Sequence, residues 1–326
     1  MKAMTPEQKW GEKADETPAI EWIRSVTQDE GAMYCMARVA GFTGAETSSA
    51  LEQTSIALFS ATFGLYSGAF FLTAIQGDTS CRIPQEFARV ARDHGADIFL
   101  SSKAQEIIVE SGGARGVRAA GKNGEMTLEA DTVVIATFWN QYRRLLGSHI
   151  PRGYEATLAK FETNRRVTID VHYGLNKDIV KYPNWANVML LDDNYEYDFM
   201  IAVPSFYNNA FAPQGKQLIQ IECYRNHDVF KSRPLDDWVA HIEEVCESLY
   251  PGWLAAVDFK EVIVRSPILN HEYLATRKFP AKHPDVEGIY FTGDSTYGPA
   301  MVTEQAAATA MRVKDMILGN PVVNRF

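Results

Sequence analysis

Residues 286–319 read VEGIYFTGDSTYGPAMVTEQAAATAMRVKDMILG. Gly288-Ile289-Tyr290-Phe291-Thr292 is a short apolar run, rich in β-branched and aromatic residues and bounded by glycines, which predicts a buried strand. Gly293-Asp294 follows at its carboxyl end, then a Gly298-Pro299 loop, then a helix from about Met301. On that helix Val302, Ala306, Ala310, Val313 and Ile317 form one stripe, while Glu304, Arg312, Lys314 and Asp315 point elsewhere. Ala306, Ala307, Ala308 and Ala310 keep its surface thin enough for close packing. The free N–H groups and positive dipole of its first turn suit an electron-rich ligand. A strand, an acid at its tip and a helix aimed back at that acid make a ligand-holding unit. The periodicity alone fits equally well an ordinary strand-loop-helix that closes a core.

This stretch resembles the C-terminal flavin-binding motif of the flavin-containing amine oxidase and phytoene desaturase superfamily. There a GLYFAGD strand precedes a loop and a helix of the form A-x-x-S-G-x-x-A. Gly288 to Asp294 match the strand, and Ala306, Thr309, Ala310 and Val313 occupy the helix pattern. The resemblance implies a non-covalent FAD site, with no cysteine near Asp294 to form a covalent link. It implies that Asp294, following Gly293, hydrogen-bonds the ribityl-pyrophosphate region. The backbone N–H groups of Met301, Val302 and Thr303 would then face the flavin's pyrimidine ring. It also places Ala104 where the backbone meets adenine, and Ala136-Thr137 beside the ADP moiety.

Composition sets the outer bounds. The chain has 326 residues, enough for two domains, with 46% hydrophobic and 22% charged residues. A net charge of -9 argues against nucleic acid or an anionic membrane surface as partner. The four cysteines, Cys35, Cys81, Cys223 and Cys246, form no CxxC and read as buried thiols in a reducing compartment. With a polar N-terminus lacking a signal-peptide core, the expectation is a cytoplasmic protein. Residues 55–75, SIALFSATFGLYSGAFFLTAI, carry no charge over 21 positions, long enough to span a bilayer. Their Gly, Ser and Thr content and the lack of basic flanks favour buried core helices over a membrane span.

Taken in order, a helix is expected from Thr17-Pro18, with Thr17 as N-cap, and a second start near Ala45–Leu51. A helix over Ile83–His94, with Phe87, Val90 and Ala91 as its apolar side, stops at Gly95. Short strands are expected at Asp97–Leu100, Ala104–Glu110, Ala114–Ala120 and Met126–Glu129, then a buried one at 131–136. From 167 to 223 the alternating pattern predicts an antiparallel sheet, with Val257–Val264 returning as a strand after a helix at Pro234–Tyr250. Its aromatic-rich loops read equally as pocket walls or as caps on the sheet. The fold class is therefore α/β: an incomplete FAD-binding Rossmann-like domain plus an α+β substrate domain with an antiparallel sheet. The expected division is 76–140 with 285–326 for the FAD-binding-type domain, and 18–75 with 141–284 for the substrate domain.

The G-x-G-x-x-G unit expected at the start of such a protein is missing from this sequence; Gly41–Gly44 and Gly112–Gly116 have the wrong spacing. Either the chain is a fragment, or a second polypeptide carries that unit, or FAD binding has been lost. No G-x-S-x-G, Walker A or H-E-x-x-H motif occurs, and the seven histidines show no metal-ligand spacing. The leading expectation is an FAD-dependent oxidoreductase, or the larger part of a split one, moving a hydride from a small-molecule substrate to flavin. The alternative is a non-catalytic binding or assembly subunit. No catalytic base can be named; His172, Tyr173, Tyr207 and Tyr224 are the polar candidates of the substrate sheet.

Overall fold

The computed structural model describes residues 12–14, 16–33, 36, 82–122, 124–163, 166–181, 188–190, 199–268, 278–293, 295–297 and 302–321. Residues 55–75, the helix start near 45–51, Asp294 and Met301 lie outside them. Among the described residues no helix is long and apolar enough to cross a membrane. The strands in chain order are β1 (Lys103–Glu110), β2 (Gly113–Gly121), β3 (Gly124–Glu129), β4 (Val133–Ile135) and β5 (Arg166–Leu175). They continue with β6 (Val188–Leu190), β7 (Phe199–Ala202), β8 (Gln217–Asn226), β9 (Val257–Ile268) and β10 (Ile289–Phe291). These form a β1-β2-β3 meander, a two-stranded parallel pair β10-β4, and a five-stranded antiparallel sheet ordered β6-β7-β8-β5-β9.

The described chain packs into two units. The first gathers β1 to β4, β10, the helices between β4 and β5, and the C-terminal helix Val302–Ile317. Its core is aromatic: Trp139, Tyr142, Tyr154, Phe161, Phe279 and Phe291 cluster with Val133, Ile135 and Ile289. Tyr142 meets Phe279 edge-on at 4.7 Å and Phe291 at 5.4 Å, within the range where ring quadrupoles attract. Residues 141–163 and 278–284, expected with the substrate domain, thus share a core with β4 and β10. Their aromatic side chains complete that core, so the division by packing falls elsewhere than the one read from the sequence.

The second unit is built on β5, whose side chains alternate between two environments. Ile169, Val171, Tyr173 and Leu175 are buried with Ile219, Ile221 and Cys223 of β8. Against them pack Trp238, Val239, Ile242 and Cys246 of the helix Leu235–Leu249. Thr168, Asp170 and His172 take the opposite face. Asp170 is wholly buried there and pairs with Arg265 of β9. Desolvation raises its carboxyl above the usual range, and the guanidinium opposes that shift.

Three local expectations fail. Asp97–Leu100 is not a strand, although its residues favour one: no described strand pairs with it, and Phe99 and Leu100 stand exposed. The helix Arg82–Asp93 forms, but none of its residues is buried, so Phe87 and Val90 cover no core. At the first helix, Pro18 rather than Thr17 occupies the N-cap, and the Thr17 hydroxyl bonds back to the Lys13 carbonyl.

His283 fixes the segment beside β10. Its Nδ1 accepts N–H groups of Asp285 and Val286, both at 3.0 Å, so Nε2 carries the proton given to the His149 carbonyl at 2.7 Å. Burial holds its pKa below the ordinary value. A second proton would displace both amides. The folded pKa lies below the unfolded one, so this contribution is full above about pH 6.5 and is lost as pH falls toward the folded value. Urea unfolding between pH 7.5 and 5 should show stability declining by at most about 1.4 kcal/mol per pH unit from this group. His283→Gln should remove that component of the slope and lower stability at pH 7.5.

Candidate functional site

The site forms where two parallel strands end. Val133 N–H donates to the Gly288 carbonyl at 2.8 Å and Thr292 N–H to the Ile135 carbonyl at 3.0 Å. This register sets Ile289 against Val133 and Phe291 against Ile135. The ladder brings Ala136-Thr137 and Gly293 together at the carboxyl ends, where open α/β sheets hold ligands. Gly288 permits the approach: its φ is +77°, and a Cβ there would lie 2.1 Å from the Asp131 carbonyl oxygen. Gly293, at φ +118°, turns the chain into the loop with no atom within 4 Å of where a Cβ would stand.

Thr309 ties the C-terminal helix to this turn. Its hydroxyl donates to the Gln305 carbonyl at 2.9 Å and accepts the Gly293 N–H at 3.0 Å. The Thr292 hydroxyl, 2.9 Å away, fills its second acceptor position. Gln305 Nε2 reaches the Thr296 carbonyl at 2.5 Å. From the other side Phe279 N–H bonds the Ser295 carbonyl, and Tyr297 N–H bonds the Phe279 carbonyl. The loop backbone is thus held by two segments, the C-terminal helix and Phe279, yet among the described residues the buried hydroxyls of Ser295 and Thr296 have no hydrogen-bond partner. A buried unpaired hydroxyl costs roughly 1–3 kcal/mol. Two of them beside a helix N-terminus fit a ligand rich in oxygen acceptors and hydroxyls, such as the ribityl-pyrophosphate chain of FAD.

The residues named from the sequence distribute as follows. Ala136 and Thr137 are exposed just past β4. Gly293 lies at the turn, but its N–H is committed to Thr309, so it offers a ligand open space rather than a donor. Val302 opens the helix and Thr303 is exposed in its first turn. Ala104 sits on β1, its carbonyl accepting from Arg144, and no hydrogen bond joins it to the strand ends. Asp294 and Met301 lie outside the described residues. Sequence reading missed Ser295, Thr296 and the clamping role of Thr309. Thr at the Ser position of the helix pattern was the available signal.

Among the substrate-sheet candidates, Tyr173 is excluded as a base. It is buried against Trp253 at 5.3 Å, and burial pushes its phenol far above the usual range. His172 lies on the opposite face, and its buried Nε2 has no hydrogen-bond partner. Tyr207 is half-buried after a short 3-10 turn, and the side chain of Tyr224 is outside the described set. Among the described residues no group of side chains is arranged to hold a metal ion.

No protein-family model matches the chain. In sequence it is 22% identical to the prolycopene isomerase of Arabidopsis thaliana over 246 residues, 66% of this chain and 40% of that protein. The carrot protein of the same name gives 22% over 248 residues, 66% and 39%. The chain thus spans about two fifths of the length of these relatives. In structure it matches an oxidoreductase from Methanosarcina mazei with TM-score 0.64 and 18% identity, covering 92% of this chain and 68% of that one. It matches cyclohexylamine oxidase from Brevibacterium oxydans with TM-score 0.53 and 12% identity, covering 93% and 69%.

The Thr309 clamp is testable without a ligand. Thr309→Val leaves the half-buried Gly293 amide without its hydroxyl partner and should cost about 1 kcal/mol in urea unfolding. Thr309→Ser, which keeps the hydroxyl, should lose clearly less; equal losses would show that the methyl group and not the hydrogen bonds matters. In sequence the chain is similar to the prolycopene isomerases over two thirds of its length, and in fold it is similar to the Methanosarcina mazei oxidoreductase and to cyclohexylamine oxidase.

Proposed function

We propose that this chain is an FAD-dependent oxidoreductase or the larger part of a split one, acting on a small-molecule substrate, with the glycine-rich nucleotide-binding unit supplied from outside these 326 residues. The observation that carries this reading is the clamped strand-loop-helix at Gly288–Ile317, with its two unpartnered hydroxyls at the carboxyl ends of parallel strands. Bound FAD would accept a hydride from a substrate C–H. The chain's own part is to hold and orient. Asp294, Ser295 and Thr296 would engage the ribityl-pyrophosphate chain, and the first turn of the C-terminal helix, from Met301 to Thr303, would face the ring's pyrimidine edge. The positive end of that helix would favour negative charge developing there. A non-catalytic binding subunit is the alternative reading, and the missing glycine-rich turn is what speaks for it.

The missing unit also sets an affinity. The pyrophosphate loses the N–H donors and dipole of a first helix, and the ribose loses its acid. Each charge-assisted hydrogen bond is worth roughly 1.5–3 kcal/mol, so two losses weaken binding by about 10²–10⁴-fold. The purified chain should therefore be colourless or carry flavin well below one equivalent, judged by the ratio of the flavin visible band to the protein ultraviolet band. Supplying the nucleotide-binding unit should restore the band, and Asp294→Ala should weaken it in that reconstituted form. A fully loaded yellow protein from this chain alone would contradict the proposal.

A further inference from the structure

The face of β5 that carries Thr168, Asp170 and His172 holds titratable groups with no part in the strand-loop-helix site. The register places Asp170 between Glu222 of β8 and Ile263 of β9, and His172 between Gln220 and Glu261. Asp170 is fully buried. Its Oδ2 pairs with Arg265, whose side chain is 56% exposed, and its Oδ1 makes no hydrogen bond among the described residues. Two residues along, the buried Nε2 of His172 also lacks a partner. Positions two apart on a strand share a face, with Cα atoms roughly 6.5–7 Å apart, and the imidazole is near enough to favour the Asp170 carboxylate.

Buried polar atoms in native folds nearly always find a partner, so two orphans at neighbouring positions suit a polar group of a ligand. Charge decides which group. Arg265 already compensates Asp170, Glu222 accepts from Gln220 Nε2 at 2.7 Å, and Glu261 is exposed. An added cation would meet the guanidinium, and an added anion the Asp170 and Glu222 carboxylates, each desolvated without a counter-ion of its own. A hydroxyl carries no net charge. It can donate to Asp170 Oδ1 and accept from His172 Nε2–H.

The next position on this face speaks for an apolar body. Gly174 leaves room for Phe259 of β9, whose ring would stand 1.9 Å from a Cβ there. A cleft of about 220 Å³, lined by Gly174, Leu218, Phe211, Pro213 and Phe259, opens at this end of the strand. Its charged neighbours, Lys216 and Asp258, are paired with each other at 2.7 Å. Drug-sized ligands take roughly 300–1,000 Å³, so this space suits a short chain or a single ring.

We propose that this face of the five-stranded sheet binds a small neutral alcohol, its hydroxyl between Asp170 and His172 and its apolar body along Gly174 toward Phe259. The site lies within the second unit and is independent of the flavin reading.

Titration of the full 326-residue chain with 1-butanol, n-butylammonium and butyrate compares three head groups on one tail, followed in amide spectra where residues 168–174 report. 1-Butanol should shift these amides saturably and bind about tenfold or more tighter than either charged probe. His172→Leu should weaken 1-butanol by about tenfold. Phe259 is 54% exposed, so Phe259→Ala should keep the fold and also weaken 1-butanol. If His172→Leu does not fold, the three probes on the unaltered chain and Phe259→Ala decide. Tighter butylammonium would make the cluster a cation site, and tighter butyrate an anion site at Arg265. Equal affinity for all three would assign binding to the apolar cleft alone. No saturation would leave the orphaned atoms to ordered water. Each of these four results overturns the proposal, as does unchanged 1-butanol affinity in either variant.

Discussion

The short ladder between β4 and β10 is the constraint on which the first unit depends. It joins Val133–Ile135 to Ile289–Phe291, strands separated by the whole of the five-stranded sheet in sequence. Closing so distant a contact costs chain entropy, which local strand preference cannot offset. The compensation comes from the aromatic cluster beneath: Phe291 and Phe279 meet Tyr142, Tyr154 and each other at 4.7 to 5.4 Å. Apolar burial holds the strands, and the strands in turn set Gly293 beside Ala136. The site geometry is a consequence of core packing rather than of any residue within the site.

Thr309 then converts strand geometry into loop geometry. One hydroxyl satisfies the amide at the turn, a carbonyl of its own helix and the neighbouring Thr292. The turn of the chain at Gly293 is thereby locked to the helix that follows. The buried hydroxyls of Ser295 and Thr296, without a hydrogen-bond partner among the described residues, lie side by side in the loop that follows the turn. Native interiors rarely leave such groups unpaired. Two adjacent ones, in a loop whose backbone is otherwise bonded, are the observation on which the proposed ligand site rests.

The second unit solves a different problem. Its sheet has one apolar face against the Leu235–Leu249 helix and one face that carries Thr168, Asp170 and His172. The alternation of β5 makes this inevitable once Tyr173 is committed to the core. The same alternation removes Tyr173 from the catalytic candidates and leaves His172 on the polar face. The relatives in sequence and in structure are longer than this chain.

Much of this was legible from residues alone. The strand at Gly288–Thr292, the parallel character of its partner near 131–136, the antiparallel block from 167 and the helix of small residues all follow from apolar period and glycine placement. Those signals are local, and local pattern determines element type wherever packing agrees with it. Tertiary structure decided the rest. Asp97–Leu100 has strand chemistry but no strand, because a strand exists only with a neighbour to bond. Phe87 and Val90 lie on a helix with nothing to cover. Residues 141–163 joined the core of β4 and β10, because aromatic shape and not sequence order chose their partners. Thr309 was visible only as one letter of a helix pattern; that its hydroxyl closes the turn at Gly293 depends on a contact across sixteen positions, which only the folded chain supplies.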